Sequence, residues 1–250
     1  MAVNGYGRGA NQNQTSHANL IDRLVERASL AAFGPDLALL TYAVPDDFPY
    51  KTVSTYLNTV TGGKAHSVAL SGQGLGAPFT ALRVASAYER TGQSLRSLVA
   101  VVECATPADA DRPEPAEVDS GVLLAFDGQP GTGVVDTVYL FDRPQELASR
   151  LAELVPESGR LLVVLGPGGD PAVVPDSGSD LHRAAAGSYC TSVWLALARH
   201  WAVWEGVYPV VALCDTDPVS GTSHLAVLRN PGDGVRHRDG GAAARTATAI

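Results

Sequence analysis

The sequence predicts an α/β protein in which helices cover both faces of the sheets. Short, continuously apolar runs such as residues 98–103 are typical of strands that are buried on both sides. Segments with apolar residues at helical spacing alternate with these runs. The alternation occurs twice, on either side of a segment rich in Pro, Ala, Asp and Glu at 107–119. We therefore expect two similar halves joined by a surface linker.

Composition excludes several classes of protein. A chain of 250 residues that is 45% hydrophobic can bury a large core, and its net charge of -8 disfavours binding to nucleic acid. Its three cysteines, Cys104, Cys190 and Cys214, lack the spacing of a zinc site or a disulfide framework. No apolar run reaches the roughly 18 residues of a membrane span. We expect a cytoplasmic protein with no metal or cofactor, no nucleic-acid partner and no membrane partner.

The N-terminal part of the chain is predicted to contain a disordered arm followed by three strands and three helices. The arm, 1–19, is rich in Gly, Asn and Gln and has no apolar periodicity. The N-terminal half covers 20–119. Its predicted elements are a helix from Leu20 to the Phe33-Gly34-Pro35 stop, a strand at 37–44, a helix at 50–60, a strand at 66–70, a helix that ends near Gly92 and a strand at 98–103.

The second half, 120–230, repeats this pattern. Its predicted elements are a hairpin formed by 122–126 and 134–141, a helix at 144–154, a strand at 161–165, a helix at 188–204 and a closing pair of strands at 210–213 and 225–228. The remaining residues, 231–250, are predicted to be a disordered tail.

One stretch carries a family resemblance. The sequence SVALSGQGLGAPFTALRVASAYERTGQSLRSLVAVVECAT, residues 67–106, resembles the segment around the nucleophile in β-ketoacyl-ACP synthase III and related condensing enzymes of the thiolase fold. In that family a strand leads through a tight turn to a Cys at the N-terminus of a long buried helix. The helix dipole and its unpaired N–H groups lower the pKa of that thiol.

Two further segments support the same resemblance. The sequence VYPVVALCDTDPVSGTSHLAVLRN resembles the family's closing pair of strands, and ELASRLAELVPESGRLLVVLGPGG resembles the helix and strand that lead to its catalytic His. The resemblance extends from about 20 to 230. It implies a truncated thiolase-like fold, with two pseudo-repeated halves and layered α/β/α sheets, that lacks the family's first elements and much of its mid-chain region.

The resemblance also implies that the catalytic positions are degenerate. The family's nucleophilic Cys falls on Leu75, or, if the turn is slipped by two residues, on Gln73, which resembles the Gln of chain-length factors. An alternative for Gln73 is that it only caps a turn. The catalytic His falls on Gly166 and the catalytic Asn on Cys190. The usual triad is therefore expected to be absent.

Cys190 is the one candidate catalytic residue in the sequence. Its place at a predicted helix start could lower the pKa of its thiol, although a lone Cys on an apolar helix face is also an ordinary packing residue. His66 and His224 flank the expected site, and each is expected to bond to nearby backbone. His182 and His200 have no visible partner in the sequence.

Three tryptophans and a glycine-rich turn complete the sequence features. Trp194, Trp201 and Trp204 lie at i, i+7 and i+10 of one predicted helix, a stripe that belongs to a core or to an interface, and here we favour an interface. The segment GQGLGAP lacks the Lys and Ser/Thr of a phosphate-binding loop, so it predicts no nucleotide cofactor.

These features lead to one main functional prediction and two alternatives. A catalytic triad acts as a unit, so a chain in which all three members are changed is not expected to catalyse the Claisen condensation. We predict a ketosynthase-like pseudoenzyme subunit that forms a heterodimer with an active ketosynthase, or a homodimer, or that binds an acyl carrier protein, in acyl or polyketide metabolism. One alternative is a divergent acyltransferase with rewired catalytic residues. The other is a separate scaffold for an acyl carrier protein.

Overall fold

The computed structural model describes residues 15–45, 52–105, 116–127, 134–230 and 244–249. Within these ranges the chain forms helices and strands that alternate along most of its length. The helices are α1 (His17–Ala28), α2 (Val53–Val60), α3 (Gly76–Arg90), α4 (Pro144–Glu153) and α5 (Ser192–Trp204), with one 3-10 turn at Pro171–Val173. The strands are β1 (Leu37–Thr41), β2 (His66–Leu70), β3 (Ser97–Glu103), β4 (Ser120–Phe126), β5 (Val134–Phe141), β6 (Leu161–Leu165), β7 (Ser179–Arg183), β8 (Val210–Thr216), β9 (Ser223–Arg229) and β10 (Ala244–Ala249).

The strands form two five-stranded sheets with the same internal order. The first sheet runs β10-β4-β3-β1-β2 and the second β5-β9-β8-β6-β7. In each sheet three neighbouring strands are parallel, and the next two are each antiparallel to their neighbour. This internal repeat confirms the predicted α/β class with two similar, layered halves.

Helices α3 and α5 lie between the two sheets. Helix α3 contacts β1 and β3 of the first sheet and β5 and β9 of the second, while α5 contacts β4 and β10 as well as β6 and β8. Helices α1 and α2 pack on the outer face of the first sheet, and α4 packs on the outer face of the second. The layers are therefore α/β/α/β/α, and the largest apolar cluster fills the space around the central helices.

The predicted hairpin of 122–126 with 134–141 is wrong, because its two strands belong to different sheets. Strand β4 pairs with β3, and β5 pairs with β9. A continuously apolar run indicates burial on both faces, but it does not specify which strand is the neighbour. Strand β4, which follows the predicted boundary at 119/120, therefore belongs to the first sheet.

Both predicted terminal segments contain regular structure. Helix α1 begins at His17, where the Ser16 hydroxyl accepts the amide of Asn19 as an N-cap, so the prediction of a disordered arm is wrong for these residues. Strand β10 lies in the predicted disordered tail and pairs with β4. Its sequence, ARTATA, has few strongly apolar residues, so the strand is evident only from its pairing with the apolar strand β4. The rest of both segments, 1–14 and 231–243, and Ile250 lie outside the described residues.

The tryptophan stripe belongs to the core. Trp194, Trp201 and Trp204 are all buried, because α5 lies in the central layer with a sheet on either side. The interface that we favoured from the sequence is therefore not formed by these side chains. No helix among the described residues is long and apolar enough to cross a membrane.

Candidate active site

The turn between β2 and α3 places Leu75 at the start of a buried helix. Gly72 and Gly74 have φ values of 72° and 50°, which glycine adopts without strain, and they reverse the chain after β2. Leu75 is the N-cap residue of α3 and is buried. The amide of Gly76 donates to the Gln73 carbonyl oxygen at 2.8 Å, so the helix start is partly closed by its own turn.

A cavity of about 270 Å³ lies beside this helix start. It is enclosed by the loop that follows β6, the segment before α5 and the end of β8. The lining residues used below are Leu75, Glu117, Gly168, Tyr189, Asp215 and Thr216. Because these segments meet at the carboxyl ends of β6 and β8, the cavity lies where ligand sites form in open α/β sheets.

Gln73 lies on the outer side of the turn and not on this cavity. Its side-chain oxygen accepts the Thr80 hydroxyl at 2.6 Å, and the residue is exposed. Leu75 is therefore the candidate position that faces the cavity, and the side chain of Gln73 is held by helix α3.

The loop after β6 depends on two glycines. A Cβ on Gly166 would lie 2.0 Å from the carboxyl of Asp215, and a Cβ on Gly168 would lie 2.2 Å from the Thr216 carbonyl oxygen. The Asp215 side chain thus fills the space that a side chain at 166 would need. A side chain at 166 would therefore clash with this carboxyl group, which comes from the neighbouring strand β8.

Asp215 is an acidic residue at the end of an apolar strand, and sequence reasoning missed it. It is 3% exposed, its Oδ2 accepts the Ser192 hydroxyl at 2.7 Å, and its Oδ1 accepts the Thr216 amide at 2.9 Å. Burial raises the pKa of Asp215 to about 7, although both hydrogen bonds favour the charged form. The carboxyl group therefore titrates close to neutral pH.

The signal for Asp215 was present in the strand pattern. Side chains of a strand alternate between its two faces, so Asp215 shares a face with Val211 and Leu213, which belong to the central apolar cluster. Cys214 points to the other face, toward α4. A carboxyl group on a core-facing position of a strand indicates a functional site or a buried network.

A second carboxylate, Asp217, lies at the edge of the same site. The Tyr189 hydroxyl donates to its Oδ2 at 2.9 Å, and the amides of Val219 and Ser220 donate to its Oδ1. Burial acts to raise the pKa of Asp217, but these donors outweigh it and hold the pKa below its ordinary value. Burial and the bond to Asp217 raise the pKa of Tyr189 well above its ordinary value, so this hydroxyl stays protonated.

His224 lies beside the start of α3. It pairs with Asp215 across β8 and β9, stacks on Phe79 at 5.3 Å and fills the space beside Gly76. Burial lowers the pKa of His224, and Asp217 opposes this effect. The sequence interpretation of His224 as a backbone partner missed these contacts.

Three other histidines, His66, His182 and His200, lie elsewhere. His66 is exposed on β2 and stacks with Tyr88 at 6.3 Å. The rings of His182 and His200 lie 5.0 Å apart beside Trp204. None of the three lines the cavity.

The thiol of Cys190 is not activated. Burial and then the neighbouring Glu103 carboxyl raise the pKa of Cys190 well above its ordinary value. The backbone amide of Cys190 donates to Glu103 at 2.6 Å, so the carboxyl group occupies the start of α5 where a thiolate would benefit from the helix dipole. Of the two interpretations that the sequence left open for Cys190, the structure favours the packing role, chiefly because the thiol is buried.

The positions assigned by resemblance lie around one place in the fold. Leu75 lines the cavity, Gly166 packs against Asp215 of its wall, and Cys190 follows the lining residue Tyr189. Their equivalence to a catalytic triad stays a prediction. Among the described residues, no group of three or more His, Cys, Asp or Glu side chains is arranged to hold a metal ion.

Comparison with known proteins places the chain by its fold. No family model and no curated protein matches the sequence. In three dimensions the chain is similar to 3-oxoacyl-[acyl-carrier-protein] synthase III from Aquifex aeolicus VF5, with 12% identity and a TM-score of 0.58 over 85% of this chain and 82% of that one. It is also similar to AbyA1, a tetronic acid condensing enzyme, with 16% identity and a TM-score of 0.66 over 86% and 88% of the two chains.

OleA from Xanthomonas campestris, in its H285N form, is a third neighbour, with 10% identity and a TM-score of 0.61 over 88% of this chain and 83% of that one. The chain therefore has the thiolase-like fold of ketoacyl-ACP synthase III and related condensing enzymes. At these identities the similarity establishes the fold alone, because one fold supports many activities.

Proposed function

We propose that this chain is a ketosynthase III-like subunit of acyl or polyketide metabolism that handles acyl thioesters without forming an acyl-enzyme. The observation that carries the proposal is Leu75, which stands at the start of α3 on the wall of the cavity. A hydrocarbon side chain has no lone pair with which to attack a thioester.

The surrounding residues support this proposal. Cys190 is buried and its pKa is raised, so it offers no thiolate at neutral pH. Gly166 carries no base. Covalent acyl transfer needs a nucleophile activated by a lowered pKa or by an adjacent base, and the side chains at the three assigned positions supply neither.

The partner role rests on the resemblance. A subunit that binds acyl groups but does not condense them has a use beside an active ketosynthase, whose pocket or docking surface it shapes, or as a binding site for an acyl carrier protein. A heterodimer with an intact ketosynthase is the arrangement we propose first, and a homodimer is second.

Intact-protein mass spectrometry after incubation with hexanoyl-CoA tests the proposal. We expect no adduct on the natural chain and no difference in Cys190→Ala. The matched variant Leu75→Cys introduces a thiol at the helix start, where the dipole lowers its pKa, and is expected to gain one hexanoyl group. A stoichiometric adduct on the natural chain that disappears in Cys190→Ala would overturn the proposal.

A further inference from the structure

We propose that Asp215 is the general base for direct transfer of an acyl group from a thioester to a small hydroxylated acceptor bound in the cavity. The thioester donor rests on the proposed function above. The acceptor and the base are inferred from the cavity itself. The activity needs no covalent intermediate, so it is compatible with Leu75 and an inert Cys190.

The geometry gives Asp215 the place of a base. It is one of the residues that line the cavity, together with Leu75 and Tyr189, and it is 3% exposed. Gly166 lets the loop after β6 pack directly on the carboxyl group and excludes water from that side. A base in such a site acts on the bound molecule and not on bulk solvent.

Ser192 positions the base. Its hydroxyl is buried at the start of α5 and donates to Asp215 Oδ2, which fixes the plane of the carboxyl group together with the Thr216 amide. Ser192 does not line the cavity, so it acts through Asp215 and not on the acceptor. A carboxyl group that titrates near neutral pH can both accept and return a proton, which is the condition for general acid–base catalysis.

Burial is the main cause of the raised pKa of Asp215, and the charged groups that face it modify this shift. From β7, Arg183 lowers the pKa of Asp215, and Asp217 on the following loop raises it. The Arg183 guanidinium donates to the carbonyl oxygens of Gly169 and Pro167, so it is engaged by the loop.

Three further titratable side chains surround the base. His224 lies on β9 as the cross-strand neighbour of Asp215, and burial lowers its pKa. Tyr189 and Glu117 lie on the cavity wall. The Tyr189 hydroxyl stays protonated because its pKa is raised. Burial raises the pKa of Asp215, by contrast, to about 7.

The composition of the wall selects the acceptor. Among the described residues that line the cavity there is no Lys or Arg, and Asp215 and Glu117 are acidic. An anionic acceptor is disfavoured by these carboxyl groups, whereas hydroxyl groups can donate to them. The volume corresponds to roughly nine water molecules at about 30 Å³ each, which suits a small polyol better than a long chain.

The reaction balances without any other reagent. The acceptor O–H loses its proton to the Asp215 carboxylate as the acceptor oxygen forms a bond to the thioester carbonyl carbon. The tetrahedral intermediate then collapses, and the carbon–sulfur bond breaks. The thiolate leaves with the proton that Asp215 returns, so the products are an ester and a thiol, and Asp215 is again a carboxylate.

The test measures thiol release and ester formation from the hexanoyl thioester of N-acetylcysteamine with glycerol as acceptor. The natural chain is expected to release thiol and form glyceryl hexanoate, with a rate that rises through an apparent pKa near 7. Asp215→Asn is expected to lower the rate about 100-fold or more, the usual scale for loss of a general base. The matched control Asp176→Asn changes an exposed carboxylate before β7 and should leave the rate unchanged.

Ser192→Ala separates positioning from folding. Loss of its hydrogen bond to the carboxylate should shift the pH profile to higher pH while activity remains at alkaline pH, a change that a merely unfolded variant would not show. Circular dichroism of each variant verifies folding. Glycerol ester formation that persists in folded Asp215→Asn, or no ester from the natural chain, would overturn the inference. If thioester binding is saturable but no ester forms, this inference is wrong and the proposed function remains. An adduct on Cys190 would contradict the proposed function but not the role of Asp215.

Discussion

At the scale of single residues, one close contact explains much of the site. Gly166 has no side chain, and the carboxyl group of Asp215 enters the space that this leaves. The carboxyl group is desolvated as a result, and this raises its pKa to about 7.

This raised pKa predicts how stability depends on pH. The native state keeps the Asp215 proton up to about pH 7, while the unfolded chain releases it near 3.8. The contribution of Asp215 to stability is therefore fully present below pH 3.8 and is lost as pH rises to 7. The side chain of Asp215→Asn does not titrate, so its stability does not fall in this way. As pH rises from 4 to 8, the free energy of unfolding of this variant should therefore increase relative to that of the natural chain, by up to about 4 kcal/mol.

Urea unfolding at several pH values measures this difference, and Asp176→Asn is the control because its carboxylate is exposed. A constant difference between Asp215→Asn and the natural chain over this pH range would show that Asp215 has an ordinary pKa in the native state.

The sequence indicated where the site is but not what it contains. Leu75 and Gly166 could be located because helix starts and strand ends are local features of the sequence. The Asp215–Ser192 and Glu103–Cys190 contacts join residues that are far apart in the chain. The raised pKa of Cys190 is caused first by burial and then by Glu103, and neither could be derived from the sequence.

At the scale of elements, the two sheets differ in where their last strand comes from. The second sheet is completed by β5, which precedes its parallel strands, whereas the first is completed by β10 from the C-terminal end of the chain. Apolar runs and helical periodicity located helices α1 to α5 and strands β1 to β6, β8 and β9 because these patterns are local, whereas β7, with four polar residues in five, was not predicted. Strand β10 was missed because its pairing with β4 supplies the order that its own sequence does not signal.

Removal of β10 should therefore destabilise the first sheet. A chain that ends at Asn230 leaves β4, which is buried along its whole length, as an unpaired apolar edge. Such an edge pairs with other chains, so we expect a lower melting temperature together with concentration-dependent self-association. Thermal unfolding and size-exclusion chromatography measure both effects.

A full-length control introduces Pro at Ala247 or Thr248. Adjacent residues of an antiparallel strand alternate in their hydrogen bonding to the partner, so one of the two prolines should remove a hydrogen bond to β4 and lower the melting temperature more than the other. A truncated chain with an unchanged melting temperature and a monomeric profile would mean that β10 does not complete the sheet.

At the scale of the whole molecule, the internal repeat creates one central layer and leaves edge strands on both sheets. The central layer holds α3 and α5, so both helix starts and the cavity belong to the contact between the halves. The edge strands of the second sheet carry exposed apolar side chains, Leu140 on β5 and Leu181 on β7. Association through an edge strand is the expected use of such a surface.

We predict that the chain associates with an intact ketosynthase III-like partner, or with itself, through one of these edges. The reason is not the tryptophan stripe, which is buried, but the unpaired backbone groups of β5 and β7 beside Leu140 and Leu181. Co-expression followed by size-exclusion chromatography with light scattering should give a dimer. One of the two variants Leu140→Glu and Leu181→Glu should abolish the dimer, because it places a charge in the edge that pairs. Leu95→Glu changes an exposed residue before β3 and should leave the dimer intact. A monomer at every concentration, with and without the co-expressed ketosynthase, would contradict the partner role.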